Sequence, residues 1–439
     1  MPKSKKSKKQ KSLDLVKGFK DILPEDQFYW DFVREKFIAI SHAYGFERID
    51  LPMLEDSKLF VRGVGVGTDI VSKEMFTFET LGKEKVSMRP EGTAGVVRAY
   101  IEHGMLNKRK PVKLFYMGEM FRYDKPQAGR YRQFHQFGLE IFGEDDPIID
   151  AQLIYMCYQM YQDLKIDVDI QINSIGCKNC RVKYEKSLKI YLKKNKSKLC
   201  KECNYRYTKN ILRILDCKEK KCHEIVEEAP QIVDFLCEDC NKHFVKVLEY
   251  LDDIEVPYTL NTSIVRGLDY YNRTTFEIFP KAKHESQSAL GGGGRYDGLV
   301  KELGGVSTPA IGFALGMERT INILRERENE ELERVRTHDI FVAQLGDTAK
   351  KRVLTLFEEL RQNGFDVCEN ISKTALKQQL EDANRLKAKM ALIIGQKEIL
   401  DNTVLIRDME SGNQEIVPDS KVVSVLARRL NSLNLNKKK

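Results

Sequence analysis

Apolar and polar residues recur with different periods along the chain, and the changes of period predict its secondary structure. Residues 28–42 carry apolar side chains at helical spacing, which predicts an amphipathic helix. Residues 47–54 alternate as a strand does, although this run contains Pro52. Between residues 114 and 143, two alternating runs flank a polar loop, so we predict a β-hairpin with a long tip.

The C-terminal part of the chain has the most regular pattern. Strands and helices alternate there, at residues 339–345, 348–363, 365–370, 374–386 and 390–395. A further pair of strands would turn at Ser411-Gly412-Asn413. Alternating β and α elements of this length predict a small α/β domain.

These changes of pattern divide the chain into successive segments. A main domain is interrupted by a helical insertion rich in Lys and Cys, and a charged helical linker joins it to the C-terminal domain. The predicted segments are a basic disordered tail (1–12), the first part of the main domain (13–175), the insertion (176–255), the second part of the main domain (256–325), the linker (326–337), the C-terminal domain (338–432) and a second basic tail (433–439).

Composition and charge narrow the class of protein. Of the 439 residues, 42% are apolar and 31% are charged, as in ordinary globular proteins. We find no apolar run near the roughly 18 residues of a membrane span and no secretory signal, so we expect a cytoplasmic protein that binds no membrane. The net charge of +8 lies largely in the Lys-rich tails, which are either solvated and disordered or weak phosphate-binding arms.

Most of the cysteines lie in the insertion, and a large chain without a secretory signal is not expected to be a disulfide framework. Three CxxC pairs and one looser pair would suit two closed tetrathiolate zinc sites, with lysines nearby to stabilise the thiolates and His223 and His243 as spare ligands. The alternative is a set of reduced thiols. The cysteines concerned are Cys177, Cys180, Cys200, Cys203, Cys217, Cys222, Cys237 and Cys240.

The return strand of the predicted hairpin carries a set of polar side chains. Because side chains alternate between the two faces of a strand, Gln136, Gly138 and Glu140 share one face, while Phe137 and Leu139 share the apolar one. The polar face would either display Gln136 and Glu140 to a small ligand, with the glycine leaving room for it, or face solvent.

The segment MRPEGTAGVVRAYIE, residues 88–102, predicts the start of a helix. Thr93 is a suitable N-cap for this helix, and Glu91 would then lie beside its positive end. The carboxylate of Glu91 would either serve in capping alone or point at the ammonium group of a ligand.

Two further segments carry arginines that suit phosphate groups. In VRGLDYYNRTTFEIF, Arg266 precedes a glycine and the pair Tyr270-Tyr271, so it is either a bidentate phosphate ligand or a surface arginine. In GFALGMER, small residues form a strand and Arg319 begins a helix. LGGGGRYDGL lacks the ending of a P-loop, although its glycines would let a ligand approach the backbone.

In this order, the segments together resemble one family. GFERIDLPMLE with Pro52, Phe121-Arg122 with its loop and return strand, and GFALGMER are similar to the three motifs of class II aminoacyl-tRNA synthetases. RPEGT and RGLDYY resemble the signatures of the histidyl-tRNA synthetases. The resemblance extends from about Lys17 to Leu430 and includes a tail domain similar to the class II anticodon-binding domain.

This resemblance implies the fold class, which is α+β. The main domain would be the catalytic domain, an antiparallel sheet flanked by helices and interrupted by the Cys-rich helical insertion. The segment 338–432 would be the α/β anticodon-binding domain, and the chain would form a homodimer.

The resemblance also implies a reaction and the residues that carry it. L-Histidine and ATP with Mg²⁺ would give histidyl-adenylate, and the histidyl group would pass to the 3′ end of tRNA(His). Arg122 would hold the α-phosphate of ATP, Arg319 its far end, and Arg266 the charge that develops at the α-phosphorus. The implied histidine-binding residues are Glu91, Gly92, Thr93 and Gln136 for the amino-acid end, with Glu140, Tyr270 and Tyr271 for the imidazole.

Two other classes of protein explain the sequence less well. Non-catalytic regulatory subunits of ATP phosphoribosyltransferase resemble the synthetase catalytic domain, but they usually lack the tail domain and intact signatures that this chain has. A bare RNA-binding protein would not explain the ligand-facing polar set. In the family the insertion lies near the tRNA acceptor arm, so we expect any zinc there to matter more for tRNA charging than for histidine activation.

Overall fold

The computed structural model describes residues 13–65, 67–125, 129–217, 219–281, 289–326, 338–372 and 375–436. The predicted tail at 1–12, the linker after Glu326 and the last three residues lie outside these ranges, as does Thr374. The chain forms two compact units, residues 1–327 and 328–439. No helix within the described ranges is both long and apolar enough to cross a lipid bilayer.

The first unit contains ten α-helices and eleven strands among its described residues. The helices are α1 (Pro24–Ala43), α2 (Ser57–Val64), α3 (Thr93–Glu102), α4 (Pro147–Asp163), α5 (Lys178–Asn195), α6 (Lys201–Lys209), α7 (Lys220–Glu227), α8 (Glu238–Asp253), α9 (Leu299–Glu302) and α10 (Met317–Glu326). The strands are β1 (Glu47–Arg48), β2 (Leu54–Asp56), β3 (Thr77–Glu79), β4 (Lys85–Met88), β5 (Val112–Phe121), β6 (Gln133–Phe142), β7 (Val168–Ser174), β8 (Tyr258–Leu260), β9 (Asn272–Pro280), β10 (Gly291–Arg295) and β11 (Ala310–Gly316).

Eight of these strands form one sheet in the order β1-β5-β6-β11-β10-β9-β7-β8. All pairs from β5 to β7 are antiparallel, and only the two edge strands, β1 and β8, pair in parallel. Helices α1, α4 and α10 pack together beside this sheet. The predicted antiparallel sheet flanked by helices is confirmed, and so is the hairpin formed by β5 and β6.

The single strand predicted at residues 47–54 is wrong. Strand β1 ends at Arg48 in the large sheet, whereas β2 begins at Leu54 in a separate three-stranded sheet of order β2-β4-β3. Pro52 lies between them, and a proline cannot donate the hydrogen bond that a continuous ladder requires. The buried Arg89 stabilises the break, because its guanidinium group donates to the carbonyl oxygen of Leu51 at 2.6 Å.

The insertion leaves the sheet after β7 and returns through α8 to β8, and it consists of α5 to α8 with short 3₁₀ turns. Helix α8 is tied to the sheet through Asp150 of α4, which is fully buried. His243 of α8 lies 2.8 Å from one carboxylate oxygen of Asp150, and Arg295 of β10 donates to the other at 2.7 Å. Arg295 is itself fully buried, and its charge is balanced by this carboxylate and by that of Asp297 at 3.3 Å.

The second unit has five strands and four α-helices within its described ranges. They are β12 (Ile340–Gln344), α11 (Asp347–Gln362), β13 (Val367–Glu369), α12 (Leu376–Arg385), β14 (Met390–Ile394), α13 (Gln396–Asp401), β15 (Thr403–Asp408), β16 (Gln414–Pro418) and α14 (Val422–Asn436). The sheet order is β13-β12-β14-β15-β16, with β12, β13 and β14 parallel and the last two strands forming the expected hairpin. The predicted small α/β domain is confirmed.

We expect Asp150→Ala to lower the free energy of unfolding of the first unit by about 3–5 kcal/mol, because it removes the fully buried carboxylate that pairs with the buried charge of Arg295 and leaves only the longer contact with Asp297, at 3.3 Å. Urea denaturation of the full chain, followed by fluorescence of Trp30, measures the change, since Trp30 is the only tryptophan and is buried in α1. Glu249→Ala is the matched control, because Glu249 pairs with Lys246 on the exposed face of α8. An equal loss in both variants would contradict a structural role for Asp150.

Candidate active site

The predicted site residues come together where β6, β9, β10 and β11 meet helix α3. A cavity of about 730 Å³ lies next to this region, with Arg122, Arg319 and Gly316, the strand partner of Gln136, among its lining residues. A second cavity of about 520 Å³ is lined by Arg266, Tyr271 and residues of the insertion. Arg213 of the insertion lines both cavities, so the two adjoin one another.

Glu140 on β6 is the central polar residue, and its side chain is fully buried. The hydroxyl group of Thr93 donates to Glu140 Oε1 at 2.7 Å, and the hydroxyl group of Tyr296 donates a short hydrogen bond to Oε2. Burial raises the pKa of Glu140 to about 8, although both hydrogen bonds act in the opposite direction. The polar end of this strand face therefore points into the protein and not toward solvent.

Helix α3 begins in a different way from the prediction. Its first residue is Thr93, and the carboxylate of Glu91 caps it by accepting the backbone N–H groups of Thr93 at 2.8 Å and Ala94 at 2.9 Å. Thr93 as the N-cap is therefore wrong, because Glu91 satisfies those donors and leaves the threonine hydroxyl free to bond Glu140. Glu91 is buried, and burial raises its pKa.

Three tyrosines surround these two carboxyl groups. The hydroxyl group of Tyr270 lies 3.5 Å from Glu91 Oε2, and its ring lies 4.7 Å from that of Tyr271 and 5.6 Å from that of Tyr296, measured between centroids. Burial raises the pKa of all three phenols, so each remains a neutral hydrogen-bond donor at physiological pH. The site can therefore offer both donors and acceptors to a small polar ring.

Gln136 lies on the same face of β6 as Glu140. Its side-chain oxygen is buried and has no hydrogen-bond partner in the part of the chain that the structure describes. A buried amide oxygen without a partner is unfavourable by about 1–3 kcal/mol. A ligand N–H group placed beside Gln136 would remove that penalty.

Two arginines extend into the larger cavity. Arg122 Nε donates to the carbonyl oxygen of Pro90 at 2.8 Å, and its guanidinium group lies 5.2 Å from the centroid of the Phe134 ring. Arg319 donates to the carbonyl oxygens of Gly129 and Ala289. Burial lowers the pKa of both arginines, and each also feels the positive charge of a neighbouring arginine. Such a concentration of positive charge suits a polyphosphate.

Arg266 is not an ordinary surface arginine, since its side chain is only 17% exposed. It donates to Glu277 Oε1 on β9 at 2.5 Å, and its guanidinium group lies 5.5 Å from the centroid of the Tyr271 ring. Burial acts to lower the pKa of Arg266, but the charge of Glu277 outweighs it and the pKa is raised. Glu277 thus keeps the guanidinium group of Arg266 positively charged next to the tyrosines.

The glycines of the site make room for side chains of the protein itself. A Cβ atom at Gly138 would collide with the ring of Tyr116, one at Gly312 with the carboxylate of Glu140, and one at Gly292 with the guanidinium group of Arg266. The expectation that Gly138 and the glycines of LGGGGRYDGL leave room for a ligand is therefore wrong at these positions. Glycine is required there because polar side chains lie directly on the strands.

Three residues of the site escaped the sequence analysis: Tyr116, Glu277 and Tyr296. Tyr116 lies opposite Gly138 in the hairpin, in the register that also pairs Leu114 with Glu140. The hairpin had been predicted, so pairing its two strands would have found this tyrosine. Tyr296 comes two residues after the four glycines of LGGGGRYDGL, and that run indicates only an accessible backbone.

The eight cysteines of the insertion form two clusters. The first cysteine cluster comprises Cys177, Cys180, Cys237 and Cys240, and the second comprises Cys200, Cys203, Cys217 and Cys222. Within each cluster the sulfur atoms all lie within 4.8 Å of one another. The spare histidine ligands are not used, because His223 pairs with Glu227 at 3.0 Å and His243 with Asp150.

Comparison with known proteins agrees with this geometry. The profile of the family "Histidyl-tRNA synthetase" matches residues 18–320, and that of the "Anticodon binding domain" matches residues 339–429. The histidine–tRNA ligase of Dehalococcoides mccartyi (strain 195) is 46% identical over 415 residues, which are 94% of this chain and 99% of the relative. That of Thermosipho melanesiensis is 45% identical, with 91% and 94% of the two chains covered.

Solved structures lead to the same family. Apo histidyl-tRNA synthetase of S. aureus superposes with a TM-score of 0.79 at 33% identity and covers 94% of this chain and 100% of its own. A Bacillus halodurans protein titled as an ATP phosphoribosyltransferase regulatory subunit/histidyl-tRNA synthetase has a TM-score of 0.62 at 17% identity, covers 88% and 99%, and shows a shared fold alone. On the strength of the family profile and the relatives, this chain belongs to the histidyl-tRNA synthetase family and is an aminoacyl-tRNA synthetase.

Proposed function

We propose that the buried polar cluster around Glu140 is the histidine-binding site of this ligase, and that the larger cavity beside it receives ATP. The observation that carries the proposal is the fully buried carboxyl of Glu140, which Thr93 and Tyr296 hold in place on the same strand face as the buried side-chain oxygen of Gln136. A buried acceptor next to phenolic donors suits an imidazole ring, whose two nitrogens need a hydrogen-bond partner each. The alternative of a non-catalytic regulatory subunit has less support, since the polar cluster and the tail domain are both present.

The amino-acid end of histidine would lie between Gln136 and the start of α3. The unpartnered oxygen of Gln136 and the carboxylate of Glu91 are acceptors suited to the ammonium group. Gly92 and Thr93 form the first turn of α3 beside them. At the other end, Glu140 would accept an imidazole N–H group, with Tyr270 and Tyr271 lining the pocket.

The reaction is an in-line displacement at the α-phosphorus of ATP. A carboxylate oxygen of histidine forms the new O–P bond, and the bond to pyrophosphate breaks. Arg122 would hold the α-phosphate and Arg319 the far end of ATP, which enters with Mg²⁺ as part of the substrate. Arg266, fixed by Glu277, would stabilise the negative charge that develops at the α-phosphate oxygens. The second unit would then bind the anticodon of tRNA(His) while the histidyl group passes to its 3′ end.

We also infer a homodimer in the cytoplasm. Met53, Leu54 and Phe78 are 46–48% exposed and lie on or next to the sheet β2-β4-β3, which offers a second copy of the chain an apolar surface. The histidine, ATP and tRNA that the reaction requires place the enzyme where protein synthesis occurs.

A direct test of the function is aminoacylation with histidine, ATP and bulk tRNA, measured as acid-precipitable radioactive histidine. We expect charging that depends on all three substrates. Binding of ATP and histidine without any adenylate formation would favour a regulatory protein instead.

Glu140→Gln should weaken histidine binding by about 10–100-fold, because the amide nitrogen of glutamine cannot accept a hydrogen bond and a buried polar group left unsatisfied costs about 1–3 kcal/mol. ATP binding should change little, since Arg122 and Arg319 lie in the neighbouring cavity. Calorimetric titrations of the two substrates separate these effects. Equal losses for histidine and ATP would show that Glu140 supports the fold of the site and does not bind the imidazole.

Arg266→Ala should slow adenylate formation by about 10²–10³-fold, as is typical when one charge-stabilising donor is removed. The rate of histidine-dependent ATP–pyrophosphate exchange measures this step without tRNA. The far-ultraviolet circular dichroism spectrum should match that of the wild type. Exchange at the wild-type rate in the folded variant would exclude Arg266 from the reaction.

We further propose that each cysteine cluster binds one structural zinc ion. Four thiols within 4.8 Å provide the tetrahedral sulfur ligand set that zinc prefers. Backbone N–H groups already donate to the sulfur atoms of Cys180, Cys200 and Cys222 at 3.1–3.3 Å, an arrangement that also stabilises thiolates. The alternative of reduced thiols would leave the partly exposed Cys177, Cys200 and Cys237 open to alkylation.

Protein purified without chelator should contain about two zinc ions per chain, because each cluster supplies a closed set of four ligands. Elemental analysis counts the metal, and titration with a thiol reagent in the native state counts the free cysteines. Metal well below one equivalent, together with free reaction of the partly exposed Cys177, Cys200 and Cys237, would favour the reduced-thiol alternative.

A further inference from the structure

We propose that the second cysteine cluster positions the wall of the nucleotide cavity, so that metal bound there controls how well the enzyme binds ATP. This inference rests on the proposed function, which places ATP in the 730 Å³ cavity. It also differs from the sequence-based expectation that zinc in the insertion would matter more for tRNA charging than for histidine activation.

The second cluster forms part of the cavity wall. Cys200 and Cys217 line the cavity directly, together with Arg206 and Arg213 of the segment between them. The arginines that we assign to ATP, Arg122 and Arg319, line the same cavity. The proposed metal site and the proposed nucleotide site are therefore neighbours.

The segment enclosed by the second cluster reaches across to the catalytic domain at two points. Arg206 and Arg213 both pair with Asp69, at 3.6 and 3.5 Å, and Asn210 donates to Asp269 at 2.9 Å. Arg206 also donates to the backbone carbonyl oxygen of Arg213 at 3.1 Å, which joins α6 to the 3₁₀ turn that follows. These contacts join the segment between Cys200 and Cys217 to the catalytic domain.

Asp69 is connected through the backbone to Arg122, one of the two arginines that we assign to ATP. It precedes a π-helical turn, Ile70–Glu74, and such turns are rare and often lie at functional sites. The carbonyl oxygen of Glu74 accepts the backbone N–H group of Tyr123, the residue after Arg122. A shift of Arg206 and Arg213 would therefore move Asp69, the π-helical turn and the base of Arg122.

The ion pairs alone are too weak to hold this arrangement. The side chain of Asp69 is 33% exposed, and partly exposed ion pairs contribute little because water screens them. Helix α6 has only nine residues, of which Cys203 alone is buried, and so short a helix is marginal without further support. Four sulfur ligands on one metal ion would fix both ends of the segment, because Cys203 and Cys217 enclose it.

The first cysteine cluster provides a matched control within the same chain. Its cysteines stand at the starts of α5 and α8, where the insertion leaves and rejoins the catalytic domain. None of its cysteines is among the residues that line the two cavities. Loss of metal there should loosen the base of the insertion without reshaping the nucleotide cavity.

The test compares three full-length variants: Cys200→Ser with Cys217→Ser, Cys177→Ser with Cys237→Ser, and Asp69→Asn. Zinc per chain, melting temperature and the KM values for ATP and histidine in pyrophosphate exchange are measured for each. The second-cluster variant should lose one zinc ion and show a KM for ATP raised about 10–100-fold, with a smaller change for histidine, as expected when binding groups shift by about 1 Å. Asp69→Asn should keep both zinc ions and raise the KM for ATP in the same direction.

The first-cluster variant should also lose one zinc ion but keep a KM for ATP close to that of the wild type, with a lower melting temperature. A folded second-cluster variant with one zinc ion fewer and an unchanged KM for ATP would overturn the proposal. If that variant fails to fold, an unchanged KM for ATP in Asp69→Asn overturns it instead. Absence of pyrophosphate exchange in the wild type would refute the proposed function; calorimetric titration of the same variants with ATP would then decide the cavity-wall proposal, and an unchanged Kd in the second-cluster variant would overturn it.

Discussion

The site depends on the burial of the Glu140 carboxyl group within the sheet. A buried carboxyl is tolerated only where hydrogen bonds replace the water it has lost. Thr93 and Tyr296 supply these bonds, and Gly312 on the neighbouring strand supplies the space, since any larger residue would collide with the carboxylate. The helix start, the glycine-rich strands and the tyrosines thus all serve to accommodate this buried carboxyl group.

This arrangement places binding groups on rigid elements. Gln136 and Glu140 project from strand β6 of an eight-stranded sheet, and Glu277 holds Arg266 from strand β9 of the same sheet. Residues fixed in this way need little reorganisation when substrates bind, and catalysis by displacement at phosphorus depends mainly on such positioning. With the proposed metal bound, the two cysteine clusters would extend the same principle to the insertion.

Local signals in the sequence were sufficient for much of the fold. Strand alternation identified the hairpin, and the β-α-β pattern identified the second unit. The sequence did not predict features that depend on which side chains lie close together in the folded protein. Thr93 looks like a helix cap until Glu91 is seen to bond the same backbone donors, and Gly138 looks open until Tyr116 fills the space above it. The presence of Cys177 in one cluster with Cys237, and not with Cys200, likewise depends on how α5 and α8 pack.

We propose that buried polar groups on the sheet recognise the imidazole ring of histidine. Phenylalanine has a ring of similar size without the two nitrogens, so it would leave Glu140 and the tyrosines unpaired. The most direct measurement is therefore kcat/KM for ATP–pyrophosphate exchange with each amino acid. We expect kcat/KM for histidine to exceed that for phenylalanine by about 10⁴-fold or more, as in sites that form hydrogen bonds to a polar group of the substrate. A preference below about tenfold, typical of a pocket that selects by size alone, would contradict it.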